Sequence, residues 1–176
     1  ELIMATTYTY ASFNEPAVGA NTFPGVIKRA LKVELATATN DTSYAFIIND
    51  IIKVFALPPY VKILSGKLVT NGETDDHATP TVDLDLIVTD GSTTKTLVNG
   101  GTGMSEDNVT ATTDFDADDA YMFVTTTDDW YVAIKAIAAA AGDAATGADI
   151  TVEVEYTGIL EAGEISMRSA RDNTPG

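Results

Sequence analysis

A few short stretches bring together side chains that could do chemistry. The run DFDADD at residues 114–119 spaces its carboxylates as a calcium loop would, since hard cations take oxygen ligands. An EF-hand loop starting at Asp114 needs Gly at its sixth position and Glu at its twelfth, and these are Asp119 and Thr125. A solvated acidic loop is the expectation. His77 is the sole histidine and sits beside Asp76 in DDHATP. One histidine cannot build a His-ligated metal centre, and no serine stands in a GxSxG elbow, so His77 is expected on a surface loop. The glycines of NGGTG at 99–103 lack the Lys-Ser/Thr that completes a P-loop and read as a turn. Asp128 and Asp129 precede Trp130 and Tyr131, which suits a sugar-binding surface and equally a strand that begins with Trp130 in the core. Asn40 and Asn108 begin N-x-T matches, but ELIMATTYTYASF has neither a basic nor an apolar leader region, so no secretory signal is expected and the matches read as coincidence. The chain has no Cys, which excludes thiol nucleophiles, thiolate metal sites and disulfides. No catalytic residue, metal ligand set or cofactor is nominated, and the chain is not expected to be an enzyme.

Charge says more. The 176 residues carry 26 Asp and Glu against 10 Lys and Arg, a formal net charge of −16. Residues 33–160 hold five lysines against twenty-one acids and so account for the whole excess. The two ends are balanced, with Lys28, Arg29, Lys32, Arg168 and Arg171 facing five acids. Phosphate backbones repel such a polyanion, so no nucleic-acid partner is expected. No apolar run approaches the roughly 20 residues that span a bilayer, so no membrane partner is expected either. The acidity suits a surface that keeps the protein soluble and limits self-association. A second reading has the basic ends reach acidic neighbours in an assembly.

The elements that would hold these residues are strands. Residues 5–30 are rich in Thr, Ala and Gly, contain Pro16 and Pro24, and show no sustained period. They read as an extended arm, because Tyr8, Tyr10, Phe13 and Phe23 are more aromatic than a disordered tail needs. From Leu31 the chain alternates. Leu31, Val33 and Leu35 share one side; Val61 and Ile63 lead to an expected bulge at Gly66. Val82, Leu84, Leu86 and Val88 face inward with Asp83 and Asp85 outward, and Asp90-Gly91 marks a hairpin. Ile150, Val152, Val154 and Tyr156 oppose Thr151, Glu153 and Glu155 in the clearest strand. The one helix candidate, AIKAIAAAAGDAATGA, continues an alternation begun at Trp130 and is broken by Gly142 and Gly147, so it reads as a strand entering a small-residue loop. The fold class is all-β: an antiparallel, jelly-roll-like sandwich over 31–160, with an N-terminal arm over 1–30 and a C-terminal tail over 161–176.

The segments 50–58, 61–69, 82–91 and 130–137 together resemble a loosely related group of tailed-phage virion proteins. These share a strand ending at an apolar-Pro corner, a V-x-I/V-L strand after it, an alternating strand entering a DG hairpin, and a late alternating strand after a Thr-rich stretch. Tyr60 stands where that group often has a Gly-containing turn. The resemblance implies a small structural protein on the capsid surface of a virion, of the decoration or cement type, partnered by the major capsid protein and by its own copies, as a trimer, with no small-molecule substrate. A tail or fibre accessory protein with a glycan-binding sandwich is the alternative, with Trp130 and Tyr131 as its exposed pair. Partner contacts are expected from Tyr8, Tyr10, Phe13, Phe23, Lys28, Arg29, Arg168 and Arg171.

Overall fold

The computed structural model describes residues 5–9, 26–58, 61–112, 122–124 and 130–158. In chain order the elements are β1 (Thr7–Thr9), β2 (Val26–Glu34), a one-turn helix α1 (Leu35–Thr39), β3 (Ile51–Ala56), β4 (Val61–Asn71) and β5 (Asp83–Thr89). They continue with β6 (Thr94–Asn99), β7 (Thr110–Thr112), β8 (Met122–Val124), β9 (Tyr131–Ala138) and β10 (Asp149–Gly158). One sheet runs β1-β3-β9-β5-β6 and the other β2-β10-β4-β7, with β8 on the same edge of β4 as β7. The antiparallel pairs are nested: β5 with β6, β4 with β7, β3 with β9 and β2 with β10. A long hairpin rolled so that its strands alternate between two sheets gives this order, which is the jelly roll. The all-β sandwich read from alternation is the observed fold.

Period-2 patterning builds the core between the sheets. Ile150, Val152, Val154 and Tyr156 of β10 and Leu84, Leu86 and Val88 of β5 all point inward and are buried. On β4, Val61 and Ile63 face inward, then Leu68 and Thr70, a change of parity. The extra residue that permits it is Leu64, since Ile63 pairs with Tyr156 while Ser65 pairs with Glu155. The bulge therefore falls two residues before Gly66. The DG hairpin forms as expected: Gly91 has φ +90°, and the Asp90 carboxylate accepts the N–H groups of Ser92 (2.8 Å) and Thr93 (2.6 Å). Gly100 is required by space, because a Cβ there would lie 2.1 Å from the Leu84 carbonyl oxygen.

Three local expectations are corrected. Leu35 does not continue the β2 alternation but begins α1, its N–H donating to the Ala148 carbonyl (3.2 Å). Asp85 is not outward in solvent but buried, because β5 lies inside its sheet between β9 and β6. There Asp85 pairs in register with Lys135 and accepts the Gly100 N–H at 3.3 Å. Burial raises the Asp85 pKa above the usual carboxylate range. Ile87, on that same outer face, is buried with Tyr131 and Ala133, and the Lys53 ammonium lies 4.6 Å from the Tyr131 ring centroid. Finally, β2 starts at Val26, so the sheet takes in residues 26–30 that the sequence reading gave to the arm.

The alanine-rich segment after β9 shows why propensity did not decide. Its N–H groups go elsewhere than to a helix: Ala140 to Phe46 O, Ala144 to Tyr44 O and Ala145 to Glu73 O, each at 2.8–2.9 Å. Two more converge on the buried Asp75 carboxylate, from Ala141 (3.0 Å) and Gly142 (2.8 Å), where they meet those of Thr81 (2.7 Å) and Val82 (3.1 Å). Burial alone would raise the Asp75 pKa, but these four donors outweigh it and hold the carboxyl below the usual range. A depressed folded pKa stabilises fully above the unfolded value and is lost as pH falls through the folded one. Asp75→Ala should cost about 2–4 kcal/mol in urea unfolding at neutral pH, by orphaning buried donors. Asp75→Asn should also flatten the loss of stability as pH falls below the ordinary Asp range of about 4.

Candidate functional site

The feature that joins the N-terminal segment to the sandwich is built around Asp50, at the entry to β3. Tyr44 and Phe46 are core residues, so the chain from α1 to β3 passes inside, and a turn at 47–50 reverses it with Asn49 at φ 69°. Inside that turn the Asp50 carboxylate is 1% exposed. Its Oδ2 accepts the Tyr44 hydroxyl (2.6 Å) and the Ile47 N–H (3.0 Å), and its Oδ1 accepts the Thr6 N–H (2.7 Å). Burial, then the bond to Asp50, pushes the Tyr44 pKa far above the usual tyrosine value, so Tyr44 remains a donor.

From Thr6 the segment continues as β1, parallel to β3, with Thr7 opposite Ile51, Tyr8 opposite Ile52 and Thr9 opposite Lys53. The Ile51 N–H donates to Thr6 O at 3.0 Å. Tyr8 is half-buried and meets the Tyr44 ring edge-on with centroids 5.4 Å apart, and Tyr44 in turn meets Phe46 at 4.9 Å. Among the described residues every other strand pair is antiparallel. β1 is thus an addition to the edge of a completed jelly roll.

The residues expected to touch a partner are spread over different surroundings. Tyr8 lies in this anchor. Lys28 is on the outer face of β2, where its ammonium is 2.8 Å from one Glu153 oxygen, and Lys67 approaches the other at 4.0 Å. Arg29 is on the inner face, nine-tenths buried, with its guanidinium 4.5 Å from the Phe55 ring centroid of the opposite sheet. Tyr10, Phe13, Phe23, Arg168 and Arg171 lie outside the described residues.

Of the chemistry-bearing stretches, His77 is exposed, and its Nδ1 accepts the Thr79 N–H at 3.1 Å. The run 114–119 lies outside the described residues, and among those described no three His, Asp or Glu side chains gather as a metal site. Trp130 and Tyr131 are 5% and 7% exposed, so the aromatic pair that a glycan-binding surface requires is inside the protein. Strand placement missed the role of Asp50, Asp75 and Asp149. Asp149 is buried between Lys32 (2.7 Å) and the Asn71 side-chain amide (2.8 Å). The legible signal at Asp50 was a lone Asn-Asp inside an otherwise apolar run.

Asp50→Ala should speed amide hydrogen exchange at Thr6 and Ile51 and lower stability by about 2–4 kcal/mol, since Tyr44 and Ile47 lose a buried acceptor. Trp130 emission should be blue-shifted and unmoved by a panel of sugars; a shift on adding sugar would contradict its burial.

No family model matches the chain, and no curated protein matches it in sequence. Solved structures do match in shape. A chain of the capsid of Ralstonia phage GP4 superposes with a TM-score of 0.66 at 17% identity, over 89% of this chain and 100% of its own length. A chain of the cyanophage Pam1 capsid asymmetric unit gives a TM-score of 0.52 at 22% identity, over 81% of this chain and 91% of that one. At these identities the likeness is one of fold, and the fold is one that phage capsids contain.

Proposed function

We propose that the chain is a non-enzymatic structural protein of a phage virion, bound to the outside of the capsid shell as a decoration or cement protein. In this reading it sits as a homotrimer on the major capsid protein. The observation that carries the reading is the fold likeness along the entire length of the GP4 capsid chain, which leaves none of that chain unaccounted for. Fold alone does not assign function, and three properties of this chain favour the same role. Its net charge of −16 suits the exterior of a crowded particle and opposes contact with packaged nucleic acid. Its described acids include four that are buried and structural, at positions 50, 75, 85 and 149, rather than grouped around a substrate. Its N-terminal segment adds a strand to a sheet edge, the mode by which an extended arm gains affinity from main-chain hydrogen bonds. Binding only to the assembled shell would stabilise that shell by mass action.

A tail or fibre role with glycan binding is the weaker reading, because its aromatic pair is buried. Quantitative mass spectrometry of purified particles separates the two. About one copy per major capsid subunit is expected for decoration of a whole shell. A handful of copies per particle would instead indicate a tail or fibre component, and absence would overturn both. Deleting residues 1–25, which stops short of β2, should preserve the β circular dichroism spectrum while abolishing association with purified shells.

A further inference from the structure

We propose that β1 is an exchanged strand: residues 5–9 of one copy lie on the β3 edge of a second copy, seated on that copy's Asp50. The proposal extends the oligomer part of the reading above and does not depend on the shell.

The receptor is complete before the strand arrives. Two of the three donors that orient the Asp50 carboxylate, the Tyr44 hydroxyl and the Ile47 N–H, come from the segment that carries Asp50 itself. Only the third, the Thr6 N–H at 2.7 Å, comes from the arm. The Tyr44 ring that receives Tyr8 is likewise fixed by Phe46 and by Asp50. What the arm contributes is small and local: three strand residues, of which Thr7 and Thr9 are exposed and Tyr8 half-buried. A second copy's residues 5–9 would make the identical contacts, so exchange changes no interaction energy at the site, which is why swapping of terminal elements is a low-cost route to oligomers.

Two properties of the chain favour the exchanged form. Sixteen residues separate Thr9, in one sheet, from Val26, in the other. Extended, they reach about 55 Å, several times the roughly 10 Å between packed sheets, so the arm can cross to a neighbour. The balance is then set by the closure cost of that link against the local concentration of copies. Charge is the second property. Between residues 5 and 25 the only ionisable side chain that is charged at neutral pH is Glu15, whereas residues 33–160 carry the whole −16. Copies repel one another through their sandwiches, and the nearly neutral arm is the part that can cross with little repulsion.

The test uses the absence of cysteine in the chain. Full-length Thr9→Cys/Lys53→Cys protein places two thiols at directly paired positions of β1 and β3. After mild oxidation, exchange predicts disulfide-linked dimers or trimers on a non-reducing denaturing gel, absent from either single variant, and a matching oligomer by light scattering before oxidation. An oligomer by light scattering whose disulfides close within single chains would overturn the exchange while leaving the oligomer standing. A monomer would overturn both, and free thiols that fail to couple would show that β1 does not occupy the β3 edge.

Discussion

Where the β4–β5 and β9–β10 connections meet, four main-chain N–H groups point at the Asp75 carboxylate, and none of them has a strand partner. A rolled hairpin leaves this problem at its ends, because the turns between sheets must pass close to the core and their donors cannot all face water. A carboxylate has two oxygens and room for about four acceptor contacts, so one side chain can gather donors from two loops that no ladder joins. The cost is an anion held away from water, and the donors offset it. Asp50 repeats the arrangement where the N-terminal segment meets β3. Without these two anions the sheets would still pair, but the loops that close the sandwich would have buried polar groups and nothing to hold them in register.

That arrangement also explains what could be read from sequence and what could not. Alternation marked β5 and β10 because each inward side chain is matched by an outward one two-fold about the strand, and this holds wherever one face packs on the opposite sheet. It failed at Asp85 and Ile87, where the outer face of a central strand is covered as well. The alanine-rich stretch was legible as a loop only through its glycines; the physical reason, five N–H groups already taken by Phe46, Tyr44, Glu73 and Asp75, is tertiary. Burial of Asp75 could not be read from a chain with twenty-six acids, since its polar surroundings make that carboxylate look like surface, whereas Asp50 stood out only by interrupting an apolar run. Arg29 follows the same logic in reverse. A basic residue in a nearly neutral segment looked like an exterior contact, yet strand parity turns it inward onto Phe55.

The acidity of this chain therefore has two separate parts. A minority of carboxylates act as internal acceptors and locate loops, while the rest set the long-range field of the surface. Only the second part concerns how the protein meets others. A field of one sign discourages unspecific contact between copies and with polyanions, so any assembly must rest on short-range, directional contacts, of which strand addition at a sheet edge is the one seen in the molecule itself.

The nested pairing of strands has a kinetic consequence. β5 and β6 are joined by a four-residue turn, whereas β2 and β10 pair residues more than a hundred positions apart. Closing the inner pair first shortens the loop that the next pair must close, so the sandwich should zip outward from the β5–β6 turn. On the ribosome, β2 emerges more than a hundred residues before β10, which leaves β2 without that partner until β10 follows. Lys28, Arg29 and Lys32 fall in that waiting strand, where three positive charges would oppose premature edge-to-edge pairing between nascent chains until Asp149, Glu153 and Glu155 arrive.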